Sequence, residues 1–215
     1  MIDLYCERLQ PGLWDEPINA ISNLAFFIAA WASWRLAKRL KVWLHSVKLL
    51  VYLMIAIGIG SSLFHTFATR WASLLDIIPI VMFQLFYLWV YTRRIMKLAS
   101  AMSVILIVVL LISSLVSRQI LVLNGSLIYV PAFLYLFGLG IYHFREQKQS
   151  RFILLVGAGI FVLALFLRTI DQAICGIFPL GTHFLWHLLN GLMLYVVMRG
   201  LLLNLNIEVS ESKIQ

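Results

Sequence analysis

Seven apolar segments, each about as long as a membrane-spanning helix, follow one another along this chain of 215 residues. A helix needs about 20 mainly apolar residues to cross the hydrocarbon core of a bilayer. The segments cover residues 19–38, 47–69, 72–91, 99–116, 126–144, 152–170 and 182–203. Because 62% of the residues are hydrophobic and only 12% are charged, little is left for a soluble domain. The sequence predicts an all-α membrane protein, a seven-transmembrane helix bundle at 19–203 between an acidic segment, 1–18, and a polar tail, 204–215.

The basic residues are distributed unevenly between the two sides of this predicted bundle. Thirteen of the 17 lysine and arginine residues fall in alternate connections or near the end of the chain, and four lie on the other side. The positive-inside rule then predicts an extracytoplasmic N-terminus and a cytoplasmic C-terminus. The net charge of +8 is interpreted as a topology signal that faces anionic lipid, and not as a nucleic-acid-binding surface.

The last apolar segment opens with two histidines, His183 and His187. Residues four apart lie on the same face of a helix, so this pair can bind one metal ion. In a membrane helix the same pair can equally serve only as hydrogen-bonding groups for neighbouring helices. Two other histidines, His45 and His143, stand beside basic residues and are predicted to lie at headgroup level rather than to act as ligands.

A second polar group lies far from this pair in sequence. Ser61 and His65 are four apart near the end of the second segment, and Asp76 opens the third. In the predicted topology the second segment ends, and the third and seventh begin, on the outer side. The two groups therefore share one depth in the outer leaflet. A lone aspartate at that depth is a candidate functional residue, although a salt bridge to Arg70 is the alternative.

This convergence predicts a particular chemistry. Three neutral imidazoles are a usual set of ligands for catalytic zinc, which lowers the pKa of a bound water to about 7. Asp76 is then placed to orient the water and take its proton, and Ser61 to donate a hydrogen bond to a developing oxyanion. Attack on an amide or ester carbonyl is the natural reaction. A site among membrane helices selects a lipid, whose tails can stay in an apolar cleft.

The N-terminal segment carries four acidic residues against one arginine. Such a segment is either simply solvated, which we favour, or binds a hard cation through its oxygens. Glu16 precedes Pro17, a pattern typical of a helix start. Glu16, Asn19 and Asn23 form one polar stripe, which we expect to face the bundle because unpartnered polar groups are costly in a membrane.

The chain has two cysteines, Cys6 and Cys175. The topology places both on the outer side, where disulfides can form. A bond between them would tie the N-terminal segment over the mouth of the site. The alternative is two unrelated thiols.

Several of these motifs together match one known family. They are residues 5–7, residues 16–23, Ser61 with His65 four positions later, Asp76 eleven residues after that histidine, and His183 with His187. In these positions the chain resembles the alkaline ceramidases, including their bacterial relatives, within the wider group that contains the adiponectin receptors. The resemblance extends over nearly the whole chain.

The resemblance implies seven helices with zinc on His65, His183 and His187. It implies hydrolysis of the amide of ceramide, a membrane lipid, to a sphingoid base and a fatty acid, with catalytic roles for Ser61 and Asp76. Members that bind calcium near the N-terminus use acidic and amide ligands there.

Glu7 and Glu16 match this calcium pattern, whereas Leu4 and Leu9 stand where oxygen ligands are expected.

Two other functions fit the same features less well. One is a lipid receptor or sensor that keeps zinc for structure without turnover. This hypothesis resembles the adiponectin-receptor branch, but the resemblance implies a membrane orientation opposite to the topology predicted for this chain. The other is a transporter with Asp76 as its proton site. Transporters usually show paired repeats or broken helices, and the sequence shows neither. A zinc-dependent lipid amidase is therefore the favoured hypothesis.

Overall fold

The computed structural model describes residues 2, 4–10, 12–119 and 123–211, with side chains as far as residue 207 in the last helix. The described chain is all helical. In order the helices are α1 (Pro17–Ser22), α2 (Leu24–Arg39), α3 (His45–Phe67), α4 (Arg70–Val90), α5 (Ser100–Ser117), α6 (Val130–Arg145), α7 (Ile153–Ile170) and α8 (His183–Glu211). A π-helical turn, Tyr91–Ile95, extends α4, and 3₁₀ turns lie at Leu123–Tyr129 and Asp171–Ile174.

Within these described ranges, seven helical stretches are long and apolar enough to cross a membrane. They are Pro17–Arg39, His45–Phe67, Arg70–Ile95, Ser100–Ser117, Leu123–Arg145, Ile153–Ile174 and His183–Ile207. The predicted seven-helix membrane protein is confirmed, and each predicted segment overlaps one stretch. The last helix runs on to Glu211, past the predicted boundary at residue 203, because no proline or glycine interrupts it after Gly200.

Helices α3 and α8 form the centre of the bundle, and α5 lies at its edge. Helix α3 packs mainly against α4 and α2, and α8 packs mainly against α7 and α2. Short connections make successive spans antiparallel. The end of α3 and the starts of α1, α4 and α8 therefore lie together at one end of the bundle, which we call the site end. The opposite end, with Lys41, Arg93 and Lys148, is called the basic end.

Gly60 allows α3 and α4 to touch at the site end. A Cβ atom at this position would collide with the carbonyl of Leu75 and approach the backbone nitrogen of Asp76. The absence of a side chain thus brings the two backbones into direct contact. Ser61, the next residue on α3, is buried at this contact beside Asp76 of α4.

The N-terminal segment is fastened across the site end. Cys6 and Cys175 form a disulfide with their Cα atoms 5.2 Å apart, which confirms the predicted bond. The buried carboxylate of Asp171 accepts hydrogen bonds from the backbone N–H groups of Cys6 (3.1 Å), Thr182 (2.6 Å) and His183 (2.9 Å). Asp171 thereby caps the start of α8 and holds the N-terminal segment against it.

The two histidines predicted at headgroup level behave differently. His45 is exposed. His143, in the last turn of α6, is fully buried within the protein. Its ring bonds to the Tyr91 hydroxyl at 2.7 Å and to the Gln149 carbonyl at 3.0 Å, because the connection after α6 folds back over it.

Candidate metal centre

Three buried histidines meet at the site end. One ligand atom from each of His65, His183 and His187 lies within 4.8 Å of the others, and each side chain is at most 2% exposed. His65 comes from the last turn of α3, and the other two come from the first two turns of α8. The structure thus brings together the three residues that the sequence singled out as metal ligands.

The carboxylate of Glu16 holds the outer ring nitrogen of His65, the one that points away from the cluster. Nδ1 of His65 lies 2.5 Å from Oε2 of Glu16, the residue that precedes α1. An ionised carboxylate only accepts hydrogen bonds, so Nδ1 of His65 carries the proton. The lone pair of this imidazole is then on Nε2, which points into the cluster and lies 3.2 Å from Nε2 of His187.

A hydroxyl fixes His187 in the same way. The Ser22 hydroxyl donates to the carbonyl of Asn19 at 2.7 Å, so its single proton is already engaged. Nδ1 of His187, 2.7 Å from the same oxygen, must therefore be the donor. The lone pair of His187 is again on Nε2, inside the cluster.

Tyr5 positions the third histidine, His183. The two rings are stacked with centroids 3.5 Å apart and planes 18° from parallel. Nδ1 of His183 is buried and has no hydrogen-bond partner among the described residues. The disulfide and Asp171 hold the segment that carries Tyr5 in place.

These bonds leave the inward nitrogens suited to a cation. The Nε2 atoms of His65 and His187 are both unprotonated, so without a cation between them two lone pairs would face each other at 3.2 Å. A buried nitrogen without a partner, here Nδ1 of His183, is also costly. Neutral imidazoles whose outer nitrogen donates to a carboxylate or hydroxyl are the usual ligands of divalent transition metals. The three histidines therefore fit a bound metal ion.

Ser61 and Asp76 flank this cluster without belonging to it. Ser61 is buried one turn before His65, and its hydroxyl lies beside the half-buried carboxylate of Asp76. The alternative salt bridge is wrong, since no ion pair joins Asp76 to the exposed Arg70 in the described part of the chain. The structure places both predicted catalytic residues next to the histidines, with Asp76 free of an ionic partner there.

Arg8 forms a buried support behind Glu16 and His65. Its Nε donates to Oε1 of Glu16 at 2.6 Å, and its Nη2 donates to the backbone carbonyl of His65 at 3.1 Å. Burial alone would raise the pKa of Glu16, but its bonds and charge contacts with His65 and Arg8 lower the pKa below the usual range. Glu16 is thus an anion at neutral pH, as its bond to His65 requires.

Glu7 holds the first turn of α1. Its two carboxylate oxygens accept hydrogen bonds from the backbone N–H groups of Ile18 (2.6 Å) and Asn19 (2.8 Å). Burial raises the pKa of Glu7, and these two hydrogen bonds partly oppose the increase. The expectation of a solvated acidic segment is therefore wrong for Glu7 and Glu16, which are both buried.

The two carboxylates assigned to calcium do not fit that ion. Glu7 is engaged with backbone donors, and Glu16 with Arg8 and His65. The guanidinium of Arg8 already supplies the positive charge beside Glu16. The side chains of Leu4 and Leu9 offer no oxygen, and both residues are exposed. Among the residues described, the histidines are the group of side chains arranged to hold a metal.

A partly open apolar cavity of about 110 Å³ lies among the helices, and none of the three histidines lines it. Aliphatic and aromatic side chains form its wall, the aromatic ones including Phe26, Phe83, Tyr129, Phe161 and Trp186. The ring of Phe26 lies edge-on to that of His187, with centroids 6.2 Å apart. Phe26 is therefore shared between the wall of the cavity and the surroundings of the metal centre, an arrangement that suits a molecule with an apolar tail.

Sequence reasoning missed several residues that support the site. Glu16 was expected to face the bundle but not to form a hydrogen bond with His65. Neither Arg8 nor Ser22 was singled out. Asp171 was also overlooked, although it carried a signal like that of Asp76, a single acidic residue at the end of an apolar segment.

Comparison with known families agrees with the motifs. The model of the Ceramidase family matches residues 13–213, which is most of the chain. A search of curated proteins finds no match. The matched range contains all three histidines, Ser61 and Asp76. Together with the seven spans and the buried histidine cluster, this match shows that the chain belongs to the Ceramidase family.

Proposed function

We propose that the protein is a zinc-dependent hydrolase that cleaves the amide bond of a membrane lipid of the ceramide type, giving a sphingoid base and a fatty acid. The observation that carries the proposal is the histidine cluster. Glu16 and Ser22 bind Nδ1 of His65 and His187, so the lone pair of each Nε2 is available inside the cluster. Zinc is the metal that such a donor set usually binds at hydrolytic sites, where it activates water and polarises a carbonyl. The family of the chain supports the reaction class.

The residues around the cluster have complementary roles in this proposal. The apolar cavity takes an acyl tail, so the amide group lies near the histidines. Asp76 accepts a proton from the attacking water and passes it to the nitrogen of the leaving amine as the C–N bond breaks. Ser61 donates a hydrogen bond to the carbonyl oxygen as negative charge develops there. Arg8 and Glu16 keep His65 in its binding orientation.

The direct test combines metal analysis with turnover. The protein, purified in detergent without chelator, is expected to contain about one zinc per chain and to release free sphingoid base from an N-acyl sphingoid lipid. Removal of the metal should abolish release, and zinc should restore it. Zinc and lipid binding without any release would instead favour a receptor or sensor, the alternative function.

We also propose that the site end faces the extracytoplasmic side. Lysine and arginine are concentrated at the basic end, which the positive-inside rule assigns to the cytoplasm. The disulfide at the site end supports the same orientation, because disulfides persist in oxidising compartments. Cysteines introduced at Lys41 and Lys148 should react with a membrane-impermeant reagent only after the cells are opened. Labelling of intact cells would reverse the orientation.

A further inference from the structure

A cation without an ionic partner lies beside the metal centre. Arg168 is near the end of α7, and its Nη1 donates to the Asn124 carbonyl (2.9 Å) and the Ser126 hydroxyl (2.8 Å). No carboxylate of the described residues forms an ion pair with it. Its hydrogen-bond partners are neutral, and Asp76 interacts with it through charge without forming an ion pair. A charged side chain inside a span is costly, so one that lacks a counter-ion is a candidate for binding an anion.

Arg168 lies between residues that line the apolar cavity and a residue that packs on the histidines. Its guanidinium lies 5.2 Å from the ring centre of Tyr129 and 5.9 Å from that of Trp186, two residues that line the cavity. The hydroxyls of Tyr129 and of Tyr5, whose ring stacks on His183, also lie within hydrogen-bonding reach of the guanidinium. A group held between the cavity and the metal centre therefore comes within reach of this guanidinium.

We propose that Arg168 binds the carboxylate of the fatty acid that hydrolysis releases. The inference rests on the proposed function and deepens it. Hydrolysis adds the oxygen of water to the carbonyl carbon and breaks the C–N bond, so a neutral amide becomes a carboxylate while its tail is still in the cavity. Both N–H groups of Nη1 are taken by Asn124 and Ser126, so the edge formed by Nη2 and Nε is the part of the guanidinium that can pair with a carboxylate, in place of the tyrosine hydroxyls. Arg168 thus distinguishes the anionic product from the neutral substrate and delays product release.

A purely structural role predicts something different. Through Asn124 and Ser126, Arg168 also fastens the turn before α6 to α7. If that were its whole role, its loss would weaken binding of every ligand of the cavity equally. The proposal instead requires that the loss weaken binding of a carboxylate and leave a neutral ligand of the same length nearly unaffected.

The test therefore measures binding of dodecanoate and of dodecanol to the full chain with its metal removed, by titration calorimetry in a zwitterionic detergent. The wild-type protein should bind dodecanoate about 10-fold to 100-fold more tightly than dodecanol, the range of a charge-assisted hydrogen bond. Arg168→Gln should reduce this preference to about threefold or less. Arg118→Gln, at an exposed arginine at the same end of the bundle, is the matched control and should keep it.

Two outcomes would overturn the proposal. One is a wild-type protein that binds the acid no better than the alcohol, and the other is an Arg168→Gln variant that loses both ligands equally. If that variant does not fold, Arg168→Lys decides, since it keeps the charge without the edge formed by Nη2 and Nε and should retain only part of the preference. An unchanged preference in the lysine variant contradicts the bidentate role.

Binding to the metal-free protein does not depend on turnover, so a failure of the proposed function would be recognised separately. In the active enzyme, dodecanoate should inhibit competitively, and Arg168→Gln should weaken that inhibition about 10-fold or more, while Arg118→Gln should not.

Discussion

Buried histidines occur at both ends of the bundle, and their hydrogen bonds differ in one respect. At the basic end, His143 has a protein partner on each ring nitrogen, the Tyr91 hydroxyl and the Gln149 carbonyl. The carbonyl can only accept, so Nε2 of His143 donates, and the tyrosine hydroxyl donates to Nδ1. No lone pair of this ring remains for a metal.

At the site end only the outer nitrogens of His65 and His187 are held, by Glu16 and Ser22. Their inner nitrogens face each other and the ring of His183. Burial is nearly equal at the two ends, since all four histidines are at most 2% exposed. What separates the histidines that can bind a metal from the structural His143 is therefore the unshared lone pair, and not burial.

The largest effect is expected when one histidine of the metal centre is removed. His183→Ala should lower the metal content from about one ion per chain to background and abolish hydrolysis, because two histidines alone hold zinc weakly. Elemental analysis and a turnover assay measure both. His143→Gln, the matched change at the basic end, should keep the metal and only lower the unfolding temperature, because it disturbs a buried hydrogen-bond network. Full metal retention in His183→Ala would show that His183 is not a ligand and would overturn the assignment of the metal centre.

Asp76 tests the chemistry without touching a ligand. Asp76→Asn preserves the shape and burial of the side chain but removes the group that accepts a proton. We expect normal metal content with a value of kcat lower by about 10²–10⁴-fold, the usual contribution of a general base. Turnover close to that of the wild type would refute the role of Asp76, whatever the metal content of the variant.

The fold was predictable because the lipid solvent simplifies the pattern. Apolar segments of spanning length and alternating basic connections define both the helices and their antiparallel order. Once the order is known, polar residues near the segment ends share a depth. This is why His65, Asp76 and His183 could be placed together from sequence alone.

The supporting bonds were not predictable in the same way. Arg8 belongs to an acidic segment that was expected to be solvated, and its inward direction depends on the tertiary contacts that tie this segment down, including the disulfide and Asp171. The burial of His143 depends on how the connection after α6 folds back, which periodicity does not encode. Depth follows from hydropathy, whereas the choice of hydrogen-bond partner requires the tertiary structure.

Smaller effects should come from the groups that hold the outer nitrogens. Glu16→Gln replaces a charged acceptor by a neutral amide and removes the shorter of two ion pairs of Arg8, the other being with Asp15 at 3.9 Å. Metal affinity, measured by competition with a chromophoric chelator, should fall by about 10-fold to 100-fold. Glu7→Gln is the control, because Glu7 caps α1 and does not contact a histidine. It should alter thermal stability but not affinity, and an equal loss in both variants would assign Glu16 to folding alone.

The smallest effect is expected at Ser22, and it decides how much the charge of the outer partner matters. Ser22→Ala removes a neutral acceptor from Nδ1 of His187, but the backbone carbonyl of Asn19 also lies within hydrogen-bonding reach of this ring. The tautomer is therefore preserved, and metal affinity should fall less than for Glu16→Gln, by about threefold to tenfold. Ser33→Ala, at a second buried serine of the same span, should leave affinity unchanged. If Ser22→Ala weakened metal binding as much as Glu16→Gln, the orientation of the imidazole, and not the negative charge behind it, would be what these partners contribute.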